Sequence, residues 1–156
     1  MEPKWEKVGN RMFKGRYETT IDSKGRTSLP ARFRESLSGD ERLVVTTGLE
    51  PCLVAYPMAA WREFEARLAA LPSFDPNVVF LKRIYVSSAV ECAIDGHGRI
   101  LVPPPLRAHA GLLRDAVWCG MVNTAELWDA TRHAEADARA RAQLDDLPRA
   151  LAALGL

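Results

Sequence analysis

One pattern written twice constrains this chain more than any other feature of its 156 residues. TTIDSKGRTSLPARFR begins at Thr19, and AIDGHGRILVPPPLR begins at Ala93. Setting Asp22 on Asp95, an offset of 73 residues, also places Glu18 on Glu91, Ile21 on Ile94, Gly25 on Gly98 and Arg26 on Arg99. Pro30 falls on Pro103, Arg34 on Arg107, Leu29 on Val102 and Phe33 on Leu106. Self-similarity at a fixed offset marks a duplicated supersecondary unit. Two copies are too few for a solenoid, and half a chain of this length is marginal as an independent domain. The two units are therefore expected to form one pseudo-symmetric body, packed side by side or interleaved.

Within each unit the residue types suggest a strand, a tight turn, a return strand, a short helical turn, two further strands and a helix. YETTI and VECAI carry the β-branched and aromatic residues that favour strands. D-S-K-G-R and D-G-H-G-R are turns. Asp22 and Asp95 can accept from the backbone two residues on, and Gly25 and Gly98 tolerate the positive φ of a bulged hairpin. TSLP and ILVP return from them, and Pro30 and Pro103 then open short helical turns. LVVTTG with CLVAYP, and AVWCGM with AELWD, supply the second strand pairs.

Trp61, Phe64, Leu68 and Leu71 share an apolar stripe that predicts a helix from Met58 to Leu71. LPSFDPNVV then breaks the chain. An Ala-rich charged segment from Thr131 to Leu147 is predicted helical, with a weak apolar face and an interruption at Pro148. It is expected to pack on a neighbour or fray. The fold class is mainly β with short helices (α+β). The layout is a basic extension over 1–15, a first β unit over 16–58, a helix and linker over 59–87, a second β unit over 88–131 and a helical tail over 132–156.

Net charge is only +1, yet it is unevenly spread. Residues 1–34 hold nine Lys and Arg against four acids, a balance of +5, so the remainder carries −4. That asymmetry suggests a basic contact surface on a nearly neutral body. No apolar run is long enough to span a bilayer, and the polar, basic N-terminus lacks the apolar segment of a secretory signal. Cys52, Cys92 and Cys119 are odd in number and widely spaced, without metal-ligand spacing, which reads as free thiols in a cytoplasmic protein. His97, His109 and His133 have no Cys, Ser or carboxylate at triad or metal-cage spacing. Asp22 and Asp95 each have an Arg four residues on, which holds a carboxyl acidic rather than tuning it for proton transfer. Nor is there a Gly-rich nucleotide cradle between a strand and a long helix. Neither catalysis, a cofactor nor a small-molecule substrate is expected.

The turns suit nucleic acid better. If the turn runs straight into its return strand, residues two apart share a face, and Lys24 and Arg26 point the same way. His97 and Arg99 are their counterparts. Lys supplies a mobile point charge and Arg a planar fork that matches guanine edges. Lys14 belongs to the basic run leading into the first unit. Asp22 and Asp95 then shape the turn and orient the Arg. The competing reading is a salt-bridged turn whose Arg is spent on its Asp. Arg34 and Arg107, ending short helical turns, read as cations placed on a local dipole.

MFKGRYETTIDSKGRTSLPARFRESL, then LVVTTGLEPCLVAYP with Trp61, then KRIYVSSAVECAIDGHGRILVPPPLRAHAGL and ELWD resemble the MraZ family of bacterial transcriptional regulators. The likeness covers nearly all of Met12 to Trp128, with both D-x-x-x-R turns, both prolines and the linking helix in order. It implies two tandem AbrB-like, swapped-hairpin β units per chain, and homo-oligomers closed into a ring. It also implies double-stranded DNA as partner, bound at direct repeats upstream of the division and cell-wall gene cluster and of the regulator's own gene, usually in repression at the nucleoid. The family's contacts map onto Lys24 and Arg26 in the first turn and Arg99 in the second, where His97 departs from the cationic pattern. An antitoxin of the same hairpin class, binding DNA and a toxin through its tail, is one alternative. A structural oligomer without DNA binding is the other.

Overall fold

The computed structural model describes residues 12–37, 39–144 and 146–156, so most of the basic extension, including Lys4, Lys7 and Arg11, lies outside it. Eight strands form. The first unit supplies β1 (Arg16–Thr20), β2 (Arg26–Ser28), β3 (Arg42–Thr47) and β4 (Leu53–Pro57). The second supplies β5 (Val90–Ala93), β6 (Arg99–Leu101), β7 (Asp115–Gly120) and β8 (Ala125–Asp129). The expected α+β body of two repeated units is what the chain builds, and the units are interleaved.

Pairing shows how. The main sheet runs β1-β7-β8-β4-β3-β5, and a separate ribbon joins β2 to β6, all antiparallel. Each unit's first strand thus pairs with the other unit's third strand, with Glu18 opposite Val117 and Glu91 opposite Val44. These two pairs exchange under the 73-residue offset, so a pseudo-two-fold axis relates them. It passes through the ribbon at Thr27 and Ile100, which face one another. The sequence pattern suggested a hairpin from β1 to β2, but only a single bridge, Ile21 to Thr27, joins that pair. A period-2 pattern fixes which face of a strand is buried and leaves its partner open.

One core fills the space beneath the ribbon. Phe33 lies edge-on to Phe13, Tyr17 and Trp118, with centroids 5.1, 5.2 and 6.2 Å away. Leu43, Val45 and Leu53 from the first unit meet Ile100, Val102, Leu106 and Leu127 from the second. The Trp118 indole N–H is satisfied by the Ser28 carbonyl at 3.0 Å, which ties the main sheet to the ribbon.

Helices cover the periphery. Short α1 (Ala31–Glu35) and α4 (Pro104–Ala110) follow the two prolines as expected, and each buries one large side chain, Phe33 or Leu106. α2 (Met58–Ala69) buries Met58, Trp61 and Leu68. Its stripe stops there, because Leu71 lies past the helix end and is exposed. The break at Pro72–Pro76 is brief. Asp75 accepts from the Asn77 amide at 2.9 Å and caps α3 (Pro76–Leu81), which continues as a π-helical turn over Lys82–Val86. Hydroxyls of Thr46 and Thr47 donate to the carbonyls of Tyr85 and Ile84 at 2.6 and 2.9 Å, anchoring that turn to β3.

The tail forms α5 (Ala130–Gln143) and α6 (Leu147–Ala153). Pro148 opens α6 rather than interrupting a longer helix, since Asp146 caps it ahead of the proline. α5 packs Ala136 against the cluster of Cys52, Cys119 and Trp128, and Asp137 bridges Arg16 at 2.7 Å. All three cysteines are free and buried. Burial pushes the Cys92 and Cys119 thiols up to about 11, and the nearby Glu126 adds to the effect at Cys119.

Candidate nucleic-acid interface

The two turns are built alike. In the first, Asp22 Oδ1 accepts from the amides of Lys24 and Arg26, both at 2.9 Å, while Oδ2 takes the Arg26 Nε–H at 2.7 Å. In the second, Asp95 Oδ1 accepts from His97 and Arg99 amides at 2.8 and 3.0 Å, and Oδ2 takes the Arg99 Nε–H at 3.1 Å. One carboxylate therefore folds the loop and aims the guanidinium together. The Arg26 amide, then the Arg26 side chain and the Lys24 amide, hold the Asp22 carboxyl at about 2. Asp95 is lowered too, first by the Arg99 amide. Both carboxylates stay ionised across the physiological range.

The Arg side chains are engaged without being consumed. Each gives only its Nε to its Asp, and the terminal nitrogens make no hydrogen bond among the described residues. Their side chains keep 35% and 31% of their surface exposed. The outer fork of each guanidinium is therefore open to a ligand, which the salt-bridged reading did not allow for.

The ribbon sets where they face. Thr27 and Ile100 are 1% exposed and point to the core, so their neighbours Arg26, Ser28, Arg99 and Leu101 point outward. Arg26 stands opposite Leu101, and Arg99 opposite Ser28, so the two arginines lie on a diagonal of one open face. A two-stranded β-ribbon of this kind fits a B-DNA major groove, about 12 Å wide. β2 begins at Arg26, so Lys24 lies in the turn and is not aligned by strand alternation. Lys24 and His97 instead occupy the exposed tips. Lys14 is exposed at the other end of β1 from the first turn, beside Gly120, and the ribbon does not gather it in.

Each turn rests on the opposite unit. The Val102 amide donates to the Gly25 carbonyl and the Leu29 amide to the Gly98 carbonyl, both at 2.9 Å. Arg107 lies under Gly25: a Cβ there would come 2.8 Å from its Cζ. Arg34 lies under Gly98, where a Cβ would come 2.5 Å from its Nη1. With φ of +87° and +75°, both positions need glycine for conformation and for room. Arg34 and Arg107, read from the sequence as helix-end cations, are thus cross-unit props beneath the turns. The signal was present in the matched spacing of Gly25 to Arg34 and Gly98 to Arg107, but it did not say that the contacts cross.

A cleft of about 790 Å³ beside α2 is lined by Leu37, Tyr56, Met58, Phe64, Arg62 and Met121 among others, with neither histidine nor cysteine. Among the described residues no three His, Cys, Asp or Glu side chains are grouped to hold a metal ion. Among the described residues no helix is long and apolar enough to cross a membrane.

Fold and surface together define a class: a single-chain, strand-exchanged pair of β units that displays two Asp-braced arginine turns on one face. Comparison with known proteins narrows it. The sequence matches the family described as "MraZ protein, putative antitoxin-like" over residues 12–84 and 86–151, and the chain belongs to that family. It is 43% identical to the transcriptional regulator MraZ of Limosilactobacillus fermentum over 136 residues, 87% of this chain and 94% of that protein. It is 39% identical to the protein of the same name from Pediococcus pentosaceus, over 93% of this chain and all of the relative. The Desulfitobacterium hafniense Y51 protein, also so named, is 41% identical over the same shares.

Proposed function

We propose that this protein is a sequence-specific DNA-binding transcriptional regulator, reading the major groove with the β2–β6 ribbon and its flanking turns. The observation that carries the reading is the diagonal of Arg26 and Arg99 on one open face, each aimed by an aspartate and each with its outer fork unengaged. Both can pair bidentately with guanine, while Lys24 at the first tip meets phosphate and His97 at the second contributes less. Lys14 and the residues before it add contacts outside the ribbon. The relatives' shared name supports the same role. By that reading residues 16–58 and 88–131 act as the paired DNA-facing units, and 59–87 and 132–156 brace them.

One ribbon per chain makes few ionic contacts, so a single chain binds weakly, and because every phosphate contact adds to the salt slope, binding by an assembly of chains falls more steeply with salt than binding by one. A head-to-tail ring repeats the ribbon in one polar direction, which suits direct repeats better than palindromes. Avidity then raises affinity by a factor on the order of 10²–10⁴. In this picture the protein acts in the cytoplasm at the nucleoid, as a repressor of the division and cell-wall gene cluster and of its own promoter. The test is a gel shift on duplex DNA with direct repeats from that promoter, with mass by light scattering. Arg26→Ala is expected to abolish the shift, and Arg99→Ala to weaken it, with assembly mass unchanged in both. Wild-type affinity in Arg26→Ala would remove the ribbon as reader.

A second reading, an antitoxin that also holds a protein partner, draws on one feature. Leu147, Leu151 and Leu154 of α6 and its C-cap recur at helical spacing and are 50%, 40% and 75% exposed. A stable heteropartner lost on Leu151→Asp would favour it.

A further inference from the structure

The outer face of the ribbon is symmetric in charge and asymmetric in chemistry. Its four outward residues form two diagonals. Arg26 and Arg99 occupy one, and they are equivalent under the repeat. The other joins Ser28 to Leu101, equally equivalent by position and unlike by type. Leu101 is 56% exposed, although the residues on either side of it, Ile100 and Val102, are 1% and 0% exposed. An exposed leucine alone needs no explanation. This one stands directly opposite Arg26 and two residues from Arg99, so a ligand drawn to both guanidiniums must cover it.

A polyanion in that place offers one apolar group to a side chain reaching into its major groove, the 5-methyl of thymine. Resting on the DNA-reading role proposed above, we infer that Leu101 is a specificity-determining residue that packs on thymine methyl groups. Ser28 meets the matching position of the other half-site with a hydroxyl. The ribbon therefore reads a lopsided site, with guanines under the arginines and a thymine requirement on the Leu101 side alone. That polarity belongs to a single chain and makes each repeat of the operator directional. An acidic protein partner could satisfy the arginines, but it carries no group whose loss the following experiment would detect.

The experiment starts from duplex DNA that the purified full-length protein selects from a random pool. The selected sequence is resynthesised with uracil in place of thymine, one position at a time, which removes only the methyl. Wild-type affinity is expected to fall about three- to fourfold for each contacted position, the worth of one buried methyl-sized group. The sensitive positions should lie on one side of each repeat. Leu101→Ser, which copies the first unit, should bind thymine and uracil duplexes equally while keeping the wild-type salt dependence. Ser28→Leu should gain a second sensitive position on the other side. Wild-type binding that is indifferent to uracil at every position, or an undiminished uracil penalty in Leu101→Ser, overturns the inference and leaves DNA binding intact. Failure to select any duplex overturns both.

Discussion

Asp22 performs three tasks with two oxygens: it folds the loop, presents the backbone of Lys24, and orients Arg26. The sign of its pH dependence follows from the geometry. Its ionised form is favoured in the folded state, with a value about 2 instead of 3.8. The stabilisation is present above the unfolded value and is lost only as pH falls toward 2. The turn should therefore remain braced at pH 3, where an unperturbed aspartate is mostly protonated. Carboxyl chemical shifts followed by NMR should give a midpoint near 2 for Asp22. In Arg26→Ala that midpoint should rise only part of the way, because the largest cause is the Arg26 amide, which alanine retains. A complete return to the ordinary value would show that the guanidinium, not the loop backbone, holds the charge.

At the level of elements the turns behave as parts of the opposite unit. Arg107→Ala, a change in the second unit, should loosen the first turn, and Arg34→Ala should loosen the second. Hydrogen exchange of the Lys24 to Arg26 amides against those of His97 to Arg99 would read out the crossing. An effect confined to each arginine's own unit would refute it. Gly25→Ala should cost at least about 1 kcal/mol from the left-handed backbone alone, before displacement of Arg107 is counted. These elements were unequally legible. Asp, Gly and Pro at fixed offsets announced both turns, and β-branched runs announced the strands, because local chemistry decides those features. The partner of each strand was not legible, since alternation carries no address. Nor was α3, whose VVFL is strand-like in composition and is held helical by the Asp75 cap and the anchoring of the turn beyond it to β3. Arg34 and Arg107 do end their short helices as read, but their contacts with the opposite turns were not legible, because those partners are distant in sequence and the dipole argument used only neighbours.

For the whole molecule, interleaving means that neither half has a complete sheet. β1 needs β7, β5 needs β3, and the ribbon needs a strand from each unit. Residues 12–75 expressed alone should therefore lack native circular dichroism and dispersed NMR signals. Adding residues 76–156 should restore both. Independent folding of either piece would mean that the exchange is dispensable. The duplication was visible as a 73-residue offset, and it implied one shared body; the choice of exchanged strands came from packing that no single segment encodes.

The placement of β1 also bears on synthesis. This strand leaves the ribosome early, while β7, its only sheet neighbour among the described residues, follows about 100 residues later. At elongation rates of about 5–20 residues per second that wait lasts about 5–20 s. Throughout it a nascent strand waits without its partner, and Phe13 and Tyr17 lack Val122 and Trp118, the residues of the second unit that pair with them. Translation speed through the intervening codons, and any chaperone that meets the chain in that interval, thus become determinants of its yield.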